Sequence, residues 1–148
     1  MNIFNKDSIK MLAVVFIAII SLGCDPNELC QQNSNKIITV NNNSSRNIIY
    51  YFYWNYPDTL FGEHNPLFSS PSSHRLSPFS NGQWRWPRDG CWEEAFSLKS
   101  SEFIYIFDTD TLETYSWQEI QDGYKILARY ELTLQSLIDS GWVVNYPR

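Results

Sequence analysis

Residues 104–113 read IYIFDTDTLE. Five apolar residues, Phe103 to Phe107, run into two carboxylates one residue apart, Asp108 and Asp110. Paired carboxylates at a strand end can hold Mg²⁺ against a phosphate, or hold Ca²⁺ with Glu113 as a third oxygen donor. Two carboxylates alone make a poor Mg²⁺ site, because that ion demands near-octahedral ligation. The same residues also make a turn, since Asp and Thr side chains bond their own backbone there. Ser116-Trp117-Gln118-Glu119 then forms a capping box that opens a helix to about Tyr124. The turn is the reading adopted, and no metal or cofactor is assigned.

Other residues could do chemistry. His64 and His74 lie among serines, but no Gly-x-Ser-x-Gly elbow is present, so both read as loop residues. Trp84-Arg85-Trp86, with Arg88, is a candidate ligand-binding patch. Strand alternation would put Trp84 and Trp86 on one face, where aromatics flanked by polar groups grip sugars or proteins. The alternative is that both Trp cap the core. No CxxC or HxxxH spacing supports a metal site.

The elements that must position these residues read as mostly β. Residues 36–41 (KIITVN) and 47–54 (NIIYYFYW) look like two strands of a hairpin. Residues 55–80 carry four prolines and many serines, and form a long irregular segment with a short strand near 74–76. Residues 83–86 suggest an edge strand stopped by Pro87. Residues 91–98 (CWEEAFSL) and 102–108 (EFIYIFD) bracket Lys99-Ser100-Ser101 as two further strands. Residues 126–132 predict a strand, Thr133 caps a second short helix to about Asp139, and Gly141 stands where a C′ glycine belongs. Residues 142–146 close the chain as a strand. No βαβ rhythm appears. The expectation is a mainly β domain, an antiparallel sandwich or barrel-like fold with two short helices near the C-terminus.

The chain has 148 residues and a formal net charge of −5, with 6 Trp, 9 Tyr and 9 Phe. The acidic balance argues against nucleic acid as a partner. Lys6 and Lys10 precede thirteen uncharged residues, MLAVVFIAIISLG. As a helix these would span ~20 Å, short of the ~30 Å bilayer core. They have the form of a signal-peptide apolar region.

Ser21-Leu22-Gly23-Cys24 resembles a relaxed bacterial lipobox of the kind found in lipoproteins of the Bacteroidetes. The resemblance implies cleavage before Cys24 and acylation of that residue with palmitate-type chains, which anchor stably when two or more are present. Cleavage removes Lys6, Lys10 and Asp7 from 11 basic and 16 acidic residues, leaving 9 and 15 and a net charge of −6. With Cys24 lipidated, Cys30 and Cys91 remain either as a disulfide or as two free thiols. The disulfide is the expectation for an oxidising compartment.

Asp108-Thr109-Asp110-Thr111 resembles the nucleophile motif of haloacid-dehalogenase-type phosphatases, but Thr111 comes one residue early. The only later lysine is Lys125, and the doubly wound core of that family is not predicted. A wider stretch resembles a group of small Bacteroidetes lipoproteins of uncharacterised function. It comprises Phe107 to Leu112, Ser116-Trp117, Arg129 to Thr133 and Trp142 to Pro147. That origin implies O-glycosylation at Asp-Thr-aliphatic triplets, which points to Thr59 and Thr111.

The organisation expected is a signal peptide over 1–23, a polar tether over 24–35 and one β-rich domain over 36–148. The function expected is a non-enzymatic, lipid-anchored accessory or interaction module of the cell envelope. It would sit at the outer membrane, with either face open, and its partner would be a glycan or another envelope protein. The alternatives are a glycan-binding module that uses exposed Trp and Tyr, and a small metal-dependent hydrolase.

Overall fold

The computed structural model of the chain describes residues 30, 33–53, 62, 64–85 and 91–148. The elements run β1 (Ile38–Asn42), β2 (Ile48–Tyr53), α1 (Pro66–Ser69), a 3-10 turn (Ser72–His74), β3 (Arg75–Leu76) and β4 (Asn81–Trp84). They continue with α2 (Trp92–Leu98), β5 (Glu102–Asp108), α3 (Thr109–Thr114), α4 (Trp117–Asp122), β6 (Ala128–Leu132), α5 (Leu134–Asp139) and β7 (Val143–Tyr146). The architecture is mainly β. One sheet has the order β4-β1-β7 and the other β3-β2-β5-β6.

Burial explains each strand's sequence. β5 is buried at all seven positions, so its apolar run does not alternate. Ile104 and Ile106 face the space between the sheets, with Ile38, Val40, Ile48, Tyr50 and Val144. Phe103, Tyr105 and Phe107 face the other way, against Leu67 of α1, Leu112 of α3 and Ile120 of α4. A strand covered on both faces reads as a continuous apolar run. β1 has only one covered face. Ile38 and Val40 are buried, whereas Thr39 and Asn41 are half-buried on the outer side. The register sets Asn81, Asn41 and Asn145 in one row across that outer face. Asn41 Nδ2 donates to Asn145 Oδ1 at 2.9 Å.

Four expectations need correction. First, β1 and β2 do not pair, because β1 lies between β4 and β7 while β2 lies between β3 and β5. The cause is Asn42, which is fully buried. Its Nδ2 donates to the Arg46 and Ser77 carbonyls at 2.7 and 2.9 Å, and its Oδ1 accepts from Ser44. This side chain replaces a hairpin turn and carries the chain from one sheet to the other. Second, residues 92–98 form helix α2 instead of a strand. Trp92 and Phe96, four apart, stack with ring centroids 6.2 Å apart on one helix face, and Glu93 and Glu94 lie in the first turn, where negative charge is favoured.

Third, the helices are more numerous than two, and Asp-x-Asp opens α3 directly. Fourth, among the described residues the sheets do not close into a barrel, and β1 and β7 run parallel.

The helix ends predicted from sequence are present. Ser116 and Glu119 form the capping box of α4. Thr133 and Ser136 form another on α5. At the end of α5 the Gly141 amide bonds the Ile138 carbonyl at 3.1 Å and the Trp142 amide bonds the Leu137 carbonyl at 2.8 Å. Gly141 has φ +64. This is a Schellman end, with Trp142 and Leu137 both in the core between the sheets.

The N-terminal segment is fastened at one end of the three-stranded sheet. Cys30 and Cys91 form a disulfide with Cα atoms 5.1 Å apart. Asn33 Nδ2 donates to Glu93 Oε1 at 2.6 Å, and Trp92 Nε1 donates to the Lys36 carbonyl at 3.0 Å. Cys30 and Asn33, in the stretch read as a tether, therefore lie against α2. The expected signal peptide and Cys24 lie outside the described residues. Among the described residues no helix is long and apolar enough to cross a membrane.

Candidate functional site

The two aspartates part company at the junction of β5 and α3. Asp108 is the last residue of β5 and is 9% exposed, and its carboxylate accepts from the Arg46 guanidinium at 2.7 Å. Asp110 is exposed in the first turn of α3. Its carbonyl accepts from Thr114 Oγ1 at 2.7 Å. One carboxylate ties β5 to the β1–β2 connection, and the other favours a helix N-terminus. Among the described residues, the single group of three His, Cys, Asp or Glu ligand atoms within 4.8 Å of one another is Cys30, Cys91 and Glu94. Two of those sulfurs are joined to each other.

Thr111 is half-buried and lines a shallow cleft of about 240 Å³ with Asp108, Tyr115 and Lys125. The Lys125 ammonium sits 4.5 Å from the centre of the Tyr115 ring. Thr59, Trp86 and Arg88 lie outside the described residues.

Trp84 turns inward. Its ring stacks on Phe52 of β2 at 3.5 Å and meets Trp92 of α2 edge-on at 5.6 Å. It thus bridges the two sheets along one side of the domain. On that side, among the described residues, β3 pairs with Ile48 and Ile49, and β2 runs past its end from Tyr50 onward. A cleft of about 270 Å³ opens there. Its walls include Tyr51, Phe52, Ser70, Pro71, His74 and Trp84.

Two buried polar side chains line this cleft: Ser70, which the sequence does not single out, and His74, which reads there as a loop residue. His74 is 9% exposed, and its ring lies parallel to Tyr50 at 4.4 Å and edge-on to Phe52 at 6.2 Å. Burial holds its pKa below the usual histidine range, so the ring is neutral at pH 7. The Tyr50 hydroxyl in turn donates to the Gln83 carbonyl at 3.3 Å, which fixes the ring beneath His74. Ser70 is 9% exposed, and its Oγ has no hydrogen-bond partner among the described residues. Its amide caps α1 through the Pro66 carbonyl at 3.0 Å. No local signal marks either residue. Both come from the Pro/Ser-rich segment, and only tertiary packing brings them beside Trp84.

A third buried polar group is Glu102, at the start of β5. It is 5% exposed, and its Oε1 has no hydrogen-bond partner among the described residues. Burial pushes its pKa up to about 7, against the opposing pull of Lys99.

Comparison with protein-family models, with curated proteins and with solved structures finds no match to this chain.

Proposed function

We propose that this chain is a non-enzymatic binding module of the bacterial cell envelope. In this reading it is a β-sandwich held at a membrane by lipid on Cys24, like the small lipoproteins its C-terminal half resembles. The observation that carries the binding role is the cleft beside Trp84. Among the described residues it combines aromatic walls, a buried Ser70 hydroxyl with no hydrogen-bond partner, the buried His74 ring and no carboxylate, a composition suited to holding a ligand. The disulfide supports the tethered arrangement, because it ties the residues just after the lipidation site to the folded domain.

A metal-dependent hydrolase is the less favoured reading, since Asp108 is engaged by Arg46 and Asp110 faces solvent on the next element. Glycan recognition is the favoured form of the binding role. The tether is tested by Cys24→Ala in a bacterial host that processes lipoproteins. The variant is expected in the soluble envelope fraction with the thermal midpoint of the parent. A variant that stays with membranes, without unprocessed chain accumulating, refutes the anchor.

A further inference from the structure

The cleft between β2, β3 and β4 is specific about what could fill it. Its volume, about 270 Å³, falls just below the ~300–1,000 Å³ usual for drug-sized ligands, so it has room for about one ring. Among the described residues, none of those lining it is Asp, Glu, Lys or Arg. A charged ligand would shed its water there with nothing to neutralise it, which is costly. A purely apolar ring would leave the buried Ser70 hydroxyl without a partner among the described residues, which is also costly.

The ligand that satisfies both conditions is uncharged, carries hydroxyls and offers a C–H face. A serine hydroxyl donates and accepts, and a neutral imidazole has one donor and one acceptor nitrogen. Sugar hydroxyls likewise do both. Tyr51, Phe52 and Trp84 supply the aromatic surface for the ring's C–H face. The site is preformed, because the His74 ring is clamped on Tyr50 and Trp84 is clamped on Phe52.

We propose that this cleft is a subsite for one neutral sugar ring, a hexose or N-acetylhexosamine unit, with hydroxyls on His74 and Ser70 and a C–H face against the aromatic wall. The proposal rests on the reading of the chain as a binding module and names that module's ligand class.

The test is a titration of the full chain with glucose, galactose, mannose and N-acetylglucosamine, with glucuronate as the charged comparison. It is followed by Trp fluorescence and by saturation-transfer NMR. A single ring has few atoms, so affinity is expected in the millimolar range and titrations extend to about 100 mM. At least one neutral sugar saturates, and glucuronate binds about 10-fold more weakly or not at all. Ser70→Ala and His74→Phe each weaken binding about 5- to 10-fold, as expected for one lost hydrogen bond. The phenyl ring retains the stack on Tyr50, and Ser70→Ala retains the backbone bond to Pro66, so thermal midpoints near the parent's show that each variant is folded. If one variant unfolds, the other decides.

Gln83→Glu, on the neighbouring outward-facing position of β4, leaves binding unchanged. The proposal is overturned if no neutral sugar saturates, if glucuronate binds as well, or if both cleft variants bind like the parent. Membrane release of Cys24→Ala does not depend on sugar, so failure of the ligand assignment and failure of the tethered-module reading are separate outcomes.

Discussion

Glu102→Gln should make the protein more stable at neutral pH and change little in acid. The Glu102 carboxyl alternates onto the same face of β5 as Ile104 and Ile106, between the sheets, and is 5% exposed. Its pKa rises from 4.5 in the unfolded chain to about 7 in the fold, chiefly because burial penalises the charged form. Below pH 4.5 both states hold the proton, and the group favours neither. Between pH 4.5 and 7 the unfolded chain releases its proton while the folded chain keeps it. The unfolded state then binds fewer protons, so stability falls as pH rises through that window. At 1.36 kcal/mol per pKa unit, the loss above pH 7 is of the order of 3 kcal/mol, as an upper figure.

Gln cannot ionise and escapes this loss. Urea unfolding at pH 4.5, 6, 7 and 8, followed by Trp fluorescence with the disulfide intact, gives the parent–variant difference at each pH. Other titrating groups are common to both proteins and cancel. The advantage of the variant should grow from near zero to about 2–3 kcal/mol. A difference that is constant with pH, or that shrinks as pH rises, refutes the assignment of a buried, poorly solvated carboxyl to Glu102.

Three further outcomes follow from the geometry. Reducing the Cys30–Cys91 bridge, which spans 61 positions, should lower stability in urea by up to about 4 kcal/mol, because the unfolded chain regains its loop entropy. Gly141→Ala should cost about 1 kcal/mol by thermal unfolding. Its φ of +64 disfavours any side chain, while open space around its Cβ position removes a steric explanation. Ile106→Ala, at a fully buried site between the sheets, should cost about 2–5 kcal/mol, at least twice the effect of Gly141→Ala.

Local chemistry made part of this fold readable. Ser116 and Glu119, Thr133, and Gly141 announced helix ends through side-chain and backbone bonds within a few residues, and all three sites behave as their types dictate. β5 was legible from its unbroken apolar run, although that run alone did not say that helices cover its second face. Residues 91–98 misled because Trp92, Ala95 and Phe96 are compatible with either period over so short a span. The separation of β1 from β2 could not be read from local pattern. It depends on Asn42 reaching the Ser77 carbonyl, 35 residues away.

The candidate site was the least legible part. Trp84 was visible as an aromatic, but its packing against Phe52 and Trp92 depends on both sheets. His74 and Ser70 sit in a segment with no periodicity, and their importance lies in burial: His74 stacks on Tyr50, and the Ser70 hydroxyl has no hydrogen-bond partner among the described residues. The Asp-x-Asp, the most conspicuous motif in the sequence, became a strand end paired with Arg46 and a helix first turn.

The most direct test of the tethered-module account is the intact mass of the protein extracted from bacterial membranes. The account predicts a chain that begins at Cys24, heavier than its residues by attached acyl groups and lighter by two hydrogens for the Cys30–Cys91 bridge. A membrane-extracted chain that retains residues 1–23, or one that begins at Cys24 without acyl mass, would contradict it.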